Sequence, residues 1–84
     1  MSGPDLSIGL VLLGKPGCHL CDDARAVLER AGATFSEVDI TTDDELHATY
    51  LERIPVVLLD GVERFELFVD EPALSCLLGK VRRR

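Results

Sequence analysis

Two cysteines separated by two residues, Cys18-His19-Leu20-Cys21, are the side chains of this sequence best suited to chemistry. They stand where an apolar run gives way to a helical pattern. If a helix begins at the first cysteine, its unpaired backbone N–H groups and the positive end of its dipole lie beside that sulfur and favour thiolate over thiol. Helical spacing then sets Cys21 one turn along, within reach of a mixed disulfide formed on Cys18. The chemistry this allows is thiol–disulfide exchange, with Cys18 as nucleophile and Cys21 as resolving thiol.

The same spacing is half of a zinc site, and Cys76 with His19 or His47 has the ligand types to complete one. Structural zinc sites usually show a second tight pair of ligands, and none follows. With a βαβ pattern around the motif, redox use is favoured over metal binding and over two inert cysteines, and no metal ligands are assigned. Cys76, within the apolar stretch Ala73-Leu74-Ser75-Cys76-Leu77-Leu78, is expected in the core as a small apolar helix residue. His19, when protonated, draws Cys18 toward thiolate, or else is a solvated helix residue. Asp22 and Asp23 support the helix start while opposing negative charge on the sulfur.

The elements that must hold the pair can be placed along the chain. Ile8 to Leu13 is almost continuously apolar, as a central strand covered on both faces requires. Gly14-Lys15-Pro16-Gly17 forms a loop. From Cys18 to about Ala31 the apolar positions Leu20, Cys21, Ala24, Val27, Leu28 and Ala31 fall at helical spacing, with Gly32 ending the helix. Phe35, Val38 and Ile40 form a second strand, parallel to the first after a helical crossover. Thr42 and Asp43-Asp44-Glu45 start a short helix that turns Leu46, Tyr50 and Leu51 inward and ends before Pro55. Val56-Val57-Leu58-Leu59, the turn Asp60-Gly61 and Val62-Glu63-Arg64-Phe65 make a hairpin whose return strand could extend to Phe68. Asp70 caps a last helix with Pro72 in its first turn, running to about Leu78 or Lys80.

Composition sets the frame for these elements. An 84-residue chain that is 46% hydrophobic and only 5% aromatic suits a single domain with an aliphatic core, residues 1–7 flexible and residues 80–84 a basic tail. Asp+Glu 15 against Lys+Arg 9 gives a net charge of −6, which argues against nucleic acid as a partner. Lys80, Arg82, Arg83 and Arg84 complement the negative end of a last helix or form a solvated tail. Ile8 to Leu13 is too short for a membrane span, and Met1 to Asp5 lacks the basic start of a signal peptide. No membrane association is expected, and the cytoplasm, where free thiols persist, is the expected location.

The βαβ–ββα order, the cysteine pair at the first helix and Arg53-Ile54-Pro55-Val56 before the hairpin resemble glutaredoxins and other thioredoxin-fold proteins over nearly the whole chain. Lys15-Pro16-Gly17-Cys18-His19-Leu20-Cys21 resembles the small glutaredoxin-like proteins more than thioredoxin, which carries a tryptophan before its cysteine; this chain has no tryptophan. The resemblance implies an α/β, thioredoxin-like βαβαββα domain. Its four-stranded mixed sheet has the order 2-1-3-4, flanked by helices, with the third and fourth strands antiparallel to the first. It also implies a cis peptide bond before Pro55 and pairing of the Ile54 backbone with an extended segment of substrate. Lys15 and Asp70 then stand at substrate-binding positions, where glutaredoxins hold the charged ends of glutathione. A loop lysine and a plain helix cap are their structural alternatives.

Departures from the pattern bear on activity. His19 and Leu20 replace the proline and tyrosine of glutaredoxins, Arg53 replaces a threonine, and Phe68-Val69 replaces a pair of glycines ahead of Asp70-Glu71. The expected function is that of a small thiol–disulfide oxidoreductase with no bound cofactor, acting in electron transport as a monomer. Its substrates would be disulfides of proteins or small molecules, and a reductase or glutathione would restore it, with glutathione the weaker donor. The alternative is a non-catalytic thioredoxin-fold binding module for protein interaction or for iron–sulfur or metal handling.

Overall fold

The computed structural model describes residues 9–77. The expected flexible start, the basic tail and the last turn of the final helix therefore lie outside the described residues. Strand β1 (Leu10–Gly14) is buried at every position. Its side chains alternate between two cores, Leu10 and Leu12 packing with Ala24, Leu28, Val57 and Leu74, and Val11 and Leu13 packing with Ile40, Ile54, Val56 and Leu58. An unbroken apolar run is what a strand covered on both faces needs. Helix α1 (His19–Arg30) follows, then β2 (Ser36–Asp39), a single 3-10 turn (Ile40–Thr42) and α2 (Asp44–Tyr50). Strands β3 (Val56–Leu59) and β4 (Val62–Glu66) form the hairpin, and α3 (Glu71–Leu77) closes the described chain.

The sheet order is β2-β1-β3-β4, as the resemblance implied. Strand β2 pairs parallel with β1, and β3 pairs antiparallel with it. The expectation that the fourth strand also opposes the first is corrected. β4 is antiparallel to β3, so it points along β1, because a two-residue turn reverses the chain once more. Asp60 and Gly61 both have positive φ, 51 and 85, the signature of a type I′ turn. Asp60 also ties the hairpin to the start of β1: its carboxylate accepts the Gly9 N–H at 2.8 Å and its own N–H donates to the Gly9 carbonyl at 2.9 Å.

Helix ends follow local chemistry. Gly32 has φ 73, and the N–H groups of Gly32 and Ala33 donate to the carbonyls of Glu29 and Leu28 at 3.0 and 3.1 Å, a Schellman close to α1. Asp43 caps α2, its carboxylate accepting from the N–H groups of Glu45 and Leu46 at 2.9 and 3.1 Å.

Three further expectations are corrected. Ile40 leaves β2 for the 3-10 turn because the Asp39 carboxylate captures the Thr41 N–H at 2.9 Å, yet Ile40 stays fully buried as a core plug. The return strand stops at Glu66, since Leu67 turns to φ 75 and donates to the carbonyls of Pro55 and Arg53 at 2.8 and 3.2 Å. On α2, Leu46 and Tyr50 pack against the second core while Leu51, placed after the helix ends, is 39% exposed.

Candidate active site

Cys18 has extended dihedrals, φ −98 and ψ 114, and is the N-cap of α1. Its Sγ takes the place of the oxygen in an ordinary serine or aspartate cap, accepting the Cys21 N–H at 3.3 Å, while its carbonyl accepts from Asp22 at 3.0 Å. The nucleophilic atom expected from the sequence is thus part of the helix start, at the end of the dipole that stabilises anions. Cys18 is half-buried against the second core, and His19 and Leu20 are exposed.

Cys21, one turn on, is 1% exposed. Its thiol is pushed up to about 11, first by burial and then by its hydrogen bond with the Cys18 side chain; the backbone N–H of Lys15 acts in the opposite direction. The charges of Cys18 and Asp22 add to the rise. Two of these causes belong to Cys18 and disappear when its sulfur is taken up in a mixed disulfide. Asp22 itself is tied to Arg25 at 2.9 Å, and Arg25 forks onto Glu37 through Nε and Nη2 at 2.9 and 2.6 Å. These two carboxylates, Glu37 foremost, hold the Arg25 guanidinium above its ordinary value.

Lys15 is exposed and lines an open groove of about 410 Å³ with Arg25, Glu37 and Asp39. The Ile54–Pro55 bond is cis, as the resemblance implied. Ile54 is 6% exposed and lies in the same cluster as Cys21 and Cys18, and Pro55 is fully buried. Arg53, before this step, is committed to its neighbours: it binds Glu63 and Glu66 and lies 5.2 Å from the centroid of the Tyr50 ring. Leu67 and Phe68 follow on the strand side of the cis bond, 46% and 67% exposed.

The structure therefore brings Cys18, Cys21 and Ile54-Pro55 together, with Lys15 joined through its backbone. Asp70 is exposed at the start of α3, where its carbonyl accepts the Leu74 N–H at 2.9 Å. Among the described residues no hydrogen bond or core contact links it to the cysteines. Cys76 is exposed, correcting the expectation of a core role. Leu74 fills the core at 0% exposure, and a residue two positions on points about 200° away round the helix. Among the described residues, no three or more His, Cys, Asp or Glu side chains converge to hold a metal ion.

One participant was not visible as such in the sequence. Gly14, read there as the start of a loop, is the buried last residue of β1, directly beneath Cys21. A lone glycine carries no signal that separates a turn from a close approach.

The chain matches the family described as Glutaredoxin-like domain (DUF836) over residues 9–79. Among solved structures, the X-ray structure of target protein XcR50 from X. campestris is 31% identical with a TM-score of 0.75, covering 88% of this chain and 100% of that one. The solution structure of glutaredoxin from Brucella melitensis is 28% identical, with a TM-score of 0.63 over 94% of this chain and 89% of that one. A buckwheat glutaredoxin–glutathione complex, 20% identical with a TM-score of 0.64 over 90% of this chain and 74% of that one, shares the fold. No curated protein matches significantly.

Proposed function

Because the chain belongs to the glutaredoxin-like domain family, we propose that it is a thiol–disulfide oxidoreductase working through Cys18 and Cys21. The observation that carries this reading is the half-buried Cys18 sulfur capping α1, where it accepts the backbone N–H of Cys21, whose own thiol is buried one turn behind it. Cys18 attacks one sulfur of a substrate disulfide, forming a mixed disulfide and releasing the other sulfur as a thiolate. Cys21 then loses its proton and attacks Cys18 Sγ, and the second substrate sulfur departs as a thiolate. Two electrons pass to the substrate, leaving a Cys18–Cys21 disulfide that an external dithiol, reductase or glutathione must reduce.

Each part of the site suits one stage of this cycle. Cys18 is accessible where Cys21 is not, so an incoming disulfide meets Cys18 first. The high value of the Cys21 thiol keeps it protonated near neutral pH, and loss of the Cys18 interactions in the mixed disulfide lowers it at the moment it must act. Ile54 packs in the same core as both cysteines, and Leu67, 46% exposed, hydrogen-bonds to the Pro55 carbonyl, so an exposed apolar side chain adjoins the cis step, which suits a disulfide carried on a polypeptide.

A coupled assay with a chromogenic disulfide and dithiothreitol tests the reading. Cys18→Ser should abolish turnover, and Cys21→Ser should accumulate a mixed disulfide visible by intact mass. Turnover that survives Cys18→Ser would exclude these roles. The binding-module alternative would show as a wild type with no turnover and a metal or cluster absorption in the purified protein.

A further inference from the structure

Glycines at the two ends of β1 serve different purposes. Gly9 and Gly17 have φ values of 73 and 77, and a Cβ added to either meets nothing within 4 Å. Backbone conformation is what calls for glycine there. Gly14 is the reverse case. Its φ is outside the left-handed region and it pairs regularly with Asp39 in the parallel ladder, so any residue could adopt its backbone. Yet a Cβ at this position would lie 2.9 Å from Cys21 Sγ and 3.1 Å from Cys21 Cβ. Space for the thiol, not freedom of the chain, is what excludes a side chain. A glycine that keeps regular ladder pairing, as Gly14 does at the end of β1, often marks a close approach of this kind.

From this geometry we propose that Gly14 is a positioning residue for the second half of the exchange reaction, its bare Cα forming the seat that sets the approach of the Cys21 sulfur to Cys18. The inference rests on the thiol–disulfide reading above. In the step concerned, Cys21 gives its proton to solvent and its sulfur attacks Cys18 Sγ. The bond between Cys18 and the substrate sulfur breaks, and its electron pair leaves with that sulfur. The Cys21 side chain has one rotatable bond and is 1% exposed. A methyl group at position 14 must swing the sulfur about that bond or lift the first turn of α1 from β1. Both move Cys21 relative to Cys18, whereas Cys18, outside the seat at the helix cap, remains open to the first attack.

The test uses the full chain carrying Cys76→Ser, so that the pair supplies the only thiols. Reaction with dithiobis(nitrobenzoate), followed by stopped flow, should release one thionitrobenzoate on attack by Cys18 and a second on resolution by Cys21. Adding Gly14→Ala should leave the first rate within about twofold and slow the second by at least about tenfold, with the mixed disulfide visible by intact mass. Equal slowing of both steps, or an unchanged second step, would overturn the proposal. A protein with Gly14 that releases no second equivalent overturns the exchange reading and with it the kinetic role. A stability cycle then reports on the steric seat alone. Gly14→Ala should lower Tm clearly with Cys21 in place and by less than half as much together with Cys21→Ala; equal losses in both backgrounds refute the seat. Should Gly14→Ala alone not fold, recovery of folding by Cys21→Ala supports the seat and failure of both variants overturns it.

Discussion

The Cys21 thiol is raised from its ordinary 9.0 to about 11 in the folded, reduced protein, chiefly because it is buried. The folded state therefore holds this proton more tightly than the unfolded chain. Its contribution to stability is fully present below about pH 9 and is lost as the pH rises through about 11. Urea unfolding of the reduced Cys76→Ser protein should show a loss of roughly 2–3 kcal/mol across that interval beyond the loss seen when Cys21→Ala is added. Parallel pH profiles for the two proteins would mean that Cys21 is not held in this way. Accessibility orders the thiols as well. With Cys76→Ser removing the exposed competitor, iodoacetamide should modify Cys18 well before Cys21 at neutral pH, as peptide mass mapping would show. Faster modification of Cys21 would reverse the assigned roles.

At the scale of elements, α1 has two faces with separate duties. Leu28 is fully buried against β1 and α3, and Leu20 beside the cysteines is 48% exposed. Leu28→Ala should cost about 2–5 kcal/mol by the transfer and cavity terms of a core truncation, whereas Leu20→Ser should change stability by no more than about 0.5 kcal/mol. Urea midpoints measure both, and a Leu20→Ser cost comparable to that of Leu28→Ala would contradict the packing. The β3–β4 hairpin rests on Asp60, a non-glycine residue at φ 51 whose carboxylate accepts the Gly9 N–H. Asp60→Ala keeps the unfavourable φ and loses the bond, at an expected cost of about 1–2 kcal/mol, while Asp60→Asn, which can still accept from Gly9, should cost less. Alkylation of Cys18 should be unaffected by either change, because the hairpin turn is tied to the opposite end of β1 from the loop that leads to Cys18.

For the molecule as a whole, the distribution of charge bears on the electron donor. Arg25, Arg30 and Arg53 are each engaged by carboxylates, whereas among the described residues Lys15, in the loop that leads to Cys18, has no such ion pair. Glutathione carries two carboxylates, and Phe68, 67% exposed, stands where the glutaredoxin pattern has a glycine that allows close backbone approach, while Val69 at the next such position turns into the core. Losing one charge-assisted hydrogen bond, at about 1.5–3 kcal/mol, weakens recognition about tenfold or more. Turnover driven by glutathione and its reductase should therefore fall at least about tenfold below turnover driven by a dithiol. Coupled assays run side by side decide this, and efficient turnover at low millimolar glutathione would make the protein an ordinary glutaredoxin in its choice of donor.

The sequence by itself determined the cysteine pair at a helix start, the order of elements, the helical crossover that makes β2 parallel to β1, and the Asp60-Gly61 turn. These are encoded in neighbouring residues, where apolar periodicity, caps and turn chemistry act over a few positions. The family likeness of the loop before Pro55 brought the cis bond with it. Tertiary structure alone decided which atoms meet across the fold. Cys76 is apolar in a run of apolar residues, but in the seven-residue helix α3 only the packing of Leu74 settles which side faces in. Leu67 sits at a strand end, where the carbonyls of Arg53 and Pro55, from another segment, bend the chain; Ile40 is turned by the carboxylate of its neighbour Asp39, and only its core contacts come from the fold. Gly14 depends on the gap between β1 and α1, a distance set by every side chain packed between sheet and helix and written in no single stretch of sequence.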